Sequence, residues 1–155
     1  MTPSSEAPAP LSEIRSRAVK LLTTREHSRL ELTRKLTARG YPTDDIDTVL
    51  DDLEQAELLS ESRLIEVYVA ERLSKGFGPV RIRFELREKG LSDAQFEPHL
   101  HIPDDDCLAL IGAAHDRRFG AGSRDESQTL AKRARFLEYR GFPSHLIARF
   151  LEGAR

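Results

Sequence analysis

The sequence predicts an all-α protein made of three tandem three-helix, helix-turn-helix-like repeats, arranged as an elongated, curved array. Two observations predict it. The pattern Leu-x-x-[Arg/Lys]-Gly-[large apolar] occurs at Leu36 to Tyr41, Leu86 to Leu91 and Leu137 to Phe142, with glycines at 40, 90 and 141. A spacing near 50 residues is the mark of a repeat architecture. Six and ten residues beyond each glycine stands an apolar pair, Ile46 and Leu50, Phe96 and Leu100, Ile147 and Leu151. Positions four apart share one helical face. The repeats are drawn at 12–59, 60–103 and 104–155, after a tail at 1–11.

The elements follow in chain order. The Pro/Ser/Ala-rich stretch to about residue 10 reads as irregular. Ile14 to Leu22 is the apolar first helix of the first repeat. The basic second helix runs to Gly40, a residue able to take φ > 0 at the C′ position, and Arg39 before it suits the helix dipole. Leu32 and Leu36 mark its core side. Thr43 is placed to cap the third helix.

In the second repeat, Leu64 to Leu73 alternates like a strand at Ile65, Val67 and Val69. It also carries the helical stripe Ile65, Val69, Leu73, and no partner strand is evident, so it reads as helix. Pro79 suits the first position of the next helix, whose turn the glycines 76 and 78 permit. Ile82 and Leu86 form its core side, and Val80 with Phe84 a second apolar edge, which predicts a helix wedged between neighbours with Arg81, Arg83 and Arg87 left in solvent. Ser92 and Gln95 have capping-box spacing. Pro98 predicts that the helix they begin is short or kinked. The third repeat repeats the scheme with Cys107 to Ala114, a loop from Gly120 to Ser127, a basic helix ending at Gly141, and a last helix that Ser144 can cap. Arg39, Lys89 and Arg140 are each explained by the dipole of the helix they close.

Composition narrows the function classes. Hydrophobic residues are 39% and charged residues 32% of the chain, which is charge-rich yet able to build a core. No apolar run is long enough to span a bilayer, the N-terminus lacks an export signal, and the single cysteine suits a reducing compartment; the expectation is a cytoplasmic monomer. The net charge of -2 hides blocks. Residues 25–39 hold five bases against two acids, and residues 43–59 seven acids and no base. Residues 72–90 hold six bases against two acids, residues 93–106 five acids, and residues 117–141 seven bases against three acids.

Such clusters are often only a solvated helix face. Here they recur once per repeat in an otherwise acidic chain, which points to contact with an acidic partner surface or DNA phosphate. The candidate contact residues are Arg25, Arg29, Arg34, Lys35, Lys75, Arg81, Arg83, Arg87, Lys132, Arg133 and Arg135, with Gly40, Gly90 and Gly141 as the structural turns.

Other chemistries find little support. Gly76-Phe-Gly-Pro79 could cradle a phosphate at a helix start. It lacks the P-loop pattern and a preceding buried strand. His99, His101, Asp104, Asp105, Asp106, Cys107 and His115 resemble a metal set, but His-x-His with one thiol is not a zinc-finger spacing, and acidic loops are normally solvated. No nucleophile elbow or acid-base pair stands out. No enzyme, metal or cofactor is expected.

These residues also carry a resemblance. GFGPVRIRFELREKGL resembles the central signature of the RecX family of bacterial recombinase regulators, REHSRLELTRKLTARGY resembles its first-repeat signature, and KRARFLEYRGF its last repeat. The resemblance covers residues 12 to 152. Two stretches depart from it: Glu61-Ser-Arg-Leu-Ile-Glu66 is looser than the family's Asp-x-x-Arg-Phe-Ala, and HLHIPDDD is local to this chain. The resemblance implies a modular helical protein that occupies the helical groove of the RecA filament on single-stranded DNA. There it would limit filament growth and suppress ATP turnover and strand exchange, with weak, secondary binding to single- and double-stranded DNA. A stand-alone helix-turn-helix DNA-binding protein is the alternative from another class.

Overall fold

The computed structural model describes residues 9–120 and 130–153. Most of the tail and of the loop after Gly120 lies outside the described residues. Among those described, nine α-helices and one 3₁₀ turn follow one another without a strand: α1 Leu11–Thr24, α2 Arg29–Ala38, α3 Thr43–Gln55, α4 Glu61–Ser74, α5 Pro79–Glu88, α6 Asp93–Phe96, the 3₁₀ turn Glu97–His99, α7 Asp104–Phe119, α8 Leu130–Arg140 and α9 Ser144–Gly153. No helix there is long and apolar enough to cross a membrane. The ambiguous run 64–73 is helical. The chain divides into two compact units, residues up to 64 and residues from 65.

The repeated sequence motif is a Schellman turn, met three times. In the first, the Gly40 N–H donates to Thr37 O at 2.9 Å and the Tyr41 N–H to Leu36 O at 3.4 Å. Gly90 with Leu91 and Gly141 with Phe142 make the same two bonds, to Arg87 and Leu86 and to Glu138 and Leu137. The glycines sit at φ 89°, 84° and 95°, a left-handed conformation that costs a side chain about 1 kcal/mol or more. The leucine and the final apolar residue of the motif are the positions whose contact accompanies this turn. Leu36, Leu86, Leu137, Leu91 and Phe142 are all buried.

In the first unit α1, α2 and α3 pack on one another around Ile14, Ala18, Leu32, Leu36, Ile46, Val49, Leu50, Leu53 and Leu59. In the second, α7, α8 and α9 enclose Cys107, Ile111, Ala114, Leu137, Phe142, Leu146, Ile147 and Leu151. Ile65, Val69, Ile82, Leu86, Phe96 and Leu100 of the middle repeat are likewise buried. Every apolar pair expected six and ten residues past a glycine is therefore a core pair.

Local differences from the sequence reading have plain causes. Pro42 precedes α3 without a side-chain cap, and Thr43 and Ser144 are the first helical residues, one place too late to cap. Ser28 does cap α2: its Oγ accepts from the Glu31 N–H at 3.1 Å and Glu31 Oε1 accepts from the Ser28 N–H at 3.1 Å. Ser92 and Gln95 form the expected second box. Pro98 falls in the 3₁₀ turn, so α6 is one turn long. Val80 and Phe84 are 51% and 62% exposed, so the second apolar edge of α5 is not wedged but open.

Candidate partner-binding surfaces

The second unit shows what the glycine-rich stretch does. The Gly78 N–H donates to Arg140 O at 2.8 Å and the Val80 N–H to Gly141 O at 2.9 Å. A Cβ on Gly78 would stand 2.5 Å from Gly141 O, and one on Gly141 only 2.2 Å from Arg81 Cβ. The amides that would cradle a phosphate are already committed to the Gly141 turn. Gly78 and Gly141 are thus a close-packing point between two repeats, at φ -100° and +95° respectively.

Around this point the arginines are engaged. Arg72 meets Glu85 with both Nε and Nη2, at 3.0 and 2.8 Å. Arg72, Arg81 and Arg140 stack their guanidiniums on Phe77, at 3.7, 4.5 and 4.6 Å from the ring centre. Arg81 also donates to Tyr139 O at 3.3 Å. Arg83 pairs with Glu97 at 2.6 Å and Arg87 with Asp93 at 2.8 Å through each of two nitrogens. Burial first, and then the Glu85 charge, push the Tyr68 phenol up to about 12.

The expectation that Arg81, Arg83 and Arg87 stand unpaired is therefore corrected. The physical reason is the repeat turn, which folds each acidic block back beside the basic block before it. The first unit does the same. Arg29 reaches from α2 to α3, where it meets Asp51 at 2.8 Å, Glu54 at 2.9 Å and Asp47 at 3.5 Å. Arg25 pairs with Glu31 at 2.6 Å, and Lys75 with Glu71 at 2.8 Å in the second unit. Charge alternation along the chain becomes neutralisation within the fold.

Arg133 is a second correction. It is 3% exposed, and its Nη1 donates to His115 Nε2 at 3.2 Å while the guanidinium lies over Phe119. A buried guanidinium of this kind holds α7 to α8 and offers nothing to a partner's surface. Lys132 and Arg135 remain exposed on α8, as does Arg34 on α2. Among the described residues no group of three or more His, Cys, Asp or Glu is placed to hold a metal ion. Cys107 is buried, which raises its thiol pKa.

Two clusters of cations escaped sequence reasoning. At the end of α4, Lys75, Arg117, Arg118 and Arg140 surround a small cavity of about 140 Å³ with Phe136. Arg117 donates to Ser74 O at 3.3 Å and Arg140 to Lys75 O at 3.4 Å, so two of these side chains satisfy helix-end carbonyls. In the first unit Arg17, Lys20, Lys35 and Arg39 line a larger groove between α1 and α2. Its signal in the sequence was Arg17 and Lys20, three apart on the exposed side of α1.

Comparison with known proteins agrees with the repeat scheme. Family models for the RecX first, second and third three-helix domains match residues 15–53, 60–97 and 104–151. The Regulatory protein RecX of Pseudomonas savastanoi pv. phaseolicola is 43% identical over 140 residues, covering 90% of each chain. That of Halorhodospira halophila is 41% identical over 143 residues, 92% of this chain and 89% of its own. Among solved structures, RecX from Lactobacillus salivarius superposes with a TM-score of 0.78 at 21% identity, covering 92% of this chain and 95% of that one. A second crystal structure of regulatory protein RecX gives the same TM-score at 19% identity, covering 92% and 73%.

Proposed function

The chain belongs to the RecX family, and from that premise we propose that it is a regulator that binds the RecA recombinase filament on single-stranded DNA, in its helical groove. There it limits filament growth and inhibits ATP turnover and strand exchange. The observation that carries this reading is the succession of three RecX domains, in order, over residues 15–151. It is supported by relatives named as regulatory proteins that match nearly the full chain.

The proposed contacts are the exposed cations of the second helix in each repeat. Arg34 and Lys35 present charge from α2, and Lys132 and Arg135 from α8. Arg81, Arg83 and Arg87 would have to exchange partners. Arg87 and Asp93 have side chains 52% and 57% exposed, and such a surface ion pair is weak because water and salt screen it. A carboxylate or phosphate on a filament can replace Asp93 at little cost. Several weak contacts from linked repeats then act together, because engagement of one raises the effective concentration of the others.

Titration of the purified protein against preformed filaments, with DNA-dependent ATP hydrolysis as the readout, tests the reading. Inhibition well below stoichiometric protein is expected if filament ends are the target. Unchanged hydrolysis at saturating protein would overturn the proposal. Replacing Arg81, Arg83 and Arg87 together by Glu should abolish inhibition while circular dichroism shows the helices intact; normal inhibition would remove this face from the contact. Tight, steeply salt-dependent DNA binding without the recombinase would favour the stand-alone DNA-binding alternative.

A further inference from the structure

The α1–α2 groove of the first unit gathers four cations that no described carboxylate neutralises. Its lining is Arg17, Lys20, Leu21 and Thr24 from α1, and Lys35, Leu36, Ala38 and Arg39 from the end of α2. The lining contains no carboxylate. All four cations are exposed. Arg17, Lys20 and Arg39 have no ion-pair partner among the described residues, and Lys35 hydrogen-bonds only the buried imidazole of His27, at 2.9 Å. Burial first, and then the charges of Arg25 and Lys35, hold the His27 pKa below its ordinary value, so the ring is held neutral and leaves the Lys35 charge uncompensated.

The bland explanation is helix-dipole compensation, since Thr24 and Ala38 are the last residues of their helices. Its magnitude falls short. Two helix C-termini supply about half a negative charge each, against four full positive charges. About three units of charge are left over, above a floor made by Leu21 and Ala38, with the core residue Leu36 behind them. The volume, about 450 Å³, lies within the range of ligand-binding pockets.

We propose that this groove docks an acidic, amphipathic peptide segment of a protein partner, its carboxylates on Arg17, Lys20, Lys35 and Arg39 and an apolar side chain on the floor at Leu21 and Ala38. Charge complementarity selects the acidic partner. The floor selects a peptide over a nucleic acid. A single strand is held by aromatic platforms on which bases stack, and no aromatic side chain lines the groove. A duplex phosphate backbone has no use for leucines in a concavity. An amphipathic helix laying its apolar stripe into a groove, with acidic residues at the rims, matches both features. This goes beyond the filament reading by naming the chemistry of one contact, and it does not depend on which protein carries the segment.

The test uses the full chain and a fluorescently labelled synthetic helical peptide of about 15 residues, with glutamates flanking a leucine stripe. Fluorescence anisotropy should show binding that weakens with salt. Replacing Lys20 and Arg39 by Glu should weaken it about ten-fold or more, with unchanged circular dichroism, whereas replacing Arg118 and Arg149 by Glu, an equal change in charge, should leave it within about two-fold. A peptide with serine in place of leucine should bind more weakly than the parent. The proposal is overturned if the peptide fails to bind, if both double variants lose equally, or if serine costs nothing. It is also overturned if a thymidine oligonucleotide outcompetes the peptide and loses its own binding in the Lys20/Arg39 variant, which would make the groove a nucleic-acid site. None of these outcomes alters the filament titration, which reads ATP hydrolysis.

Discussion

The first and second repeats start from one pattern and use it oppositely. Aligned on Gly40 and Gly90, His27 stands where Phe77 stands, Ser28 where Gly78, Lys35 where Glu85, and Arg39 where Lys89. In the first repeat a serine caps α2 and a lysine leaves the neighbouring groove positive. In the second, a glycine in the capping position lets Gly141 approach, and a glutamate takes both ends of the Arg72 guanidinium. One arrangement keeps charge available at the surface. The other spends it on holding the middle repeat to the last.

The largest effect separating them should come from the turns. Gly40 and Gly141 have the same left-handed backbone, but a Cβ on Gly40 meets nothing within 4 Å while one on Gly141 would collide with Arg81. Gly40→Ala should cost about 1 kcal/mol from backbone strain alone. Gly141→Ala should cost about 3 kcal/mol or more, because the packed contact must also open. Urea midpoints of the two variants measure the difference. Equal losses would mean that the close approach at Gly78 contributes no stability.

Next comes the glutamate that holds Arg72 in the second repeat. Arg72 and Glu85 have side chains only 17% and 22% exposed, so Glu85→Lys, which installs the first repeat's residue, leaves a mostly enclosed guanidinium facing a like charge. A loss of about 2 kcal/mol is expected. Tyr68 provides an independent readout. Its pKa of about 12 rests first on burial and next on Glu85, so the variant should lower it while burial keeps it above the ordinary value. Ultraviolet titration of the phenol checks this; an unmoved phenol would mean that Glu85 does not act on it.

Smaller still is the cap. Ser28→Ala removes the hydroxyl that accepts from Glu31 N–H, at a cost of about 1 kcal/mol. Replacement by Gly, the residue of the second repeat, should cost only a few tenths. An alanine variant as stable as the parent would show that the second half of the box, Glu31 on the Ser28 amide, suffices.

The fold was legible because its repeated motif is itself a local structure. Leucine, glycine and a following apolar residue at those spacings make the Schellman turn wherever they occur, so three copies announce three helix ends. The binding surfaces were less legible because charge is local in sequence but partnered through the fold. Arg29 and Arg83 look available until α3 and the Glu97 turn are folded against them. Arg133 is basic by type and buried by position. Arg39 was fully accounted for by the dipole of α2, and only the packing of α1 beside it reveals a shared groove with Arg17 and Lys20. Periodicity identifies which side chains go inward, but it does not say which outward charges will find one another.

The subtlest contrast lies at His27 and Phe77, the same place in two repeats with a titratable ring in only one. His27 is fully buried, and its Nδ1 faces Arg25 O at 3.0 Å while Nε2 faces the Lys35 ammonium. An ammonium can only donate, so Nε2 accepts and Nδ1 carries the proton given to the Arg25 carbonyl. Burial, then the charges of Arg25 and Lys35, depress the pKa below 6.5 against the opposing Arg25 carbonyl and Glu31. In the unfolded chain His27 protonates near its ordinary value, so just below 6.5 the unfolded state binds more protons than the folded one. Stability must then rise with pH through that window, being complete above 6.5 and declining as pH falls toward the depressed value. His27→Phe, which copies the second repeat, should flatten this slope. Urea midpoints at about pH 7.5 and about pH 5.5, above the range where carboxylates dominate, isolate the effect as the difference between parent and variant. Parallel slopes would mean that His27 takes up its proton in the folded protein as readily as in the unfolded chain, and that the Lys35 contact is not with a neutral ring.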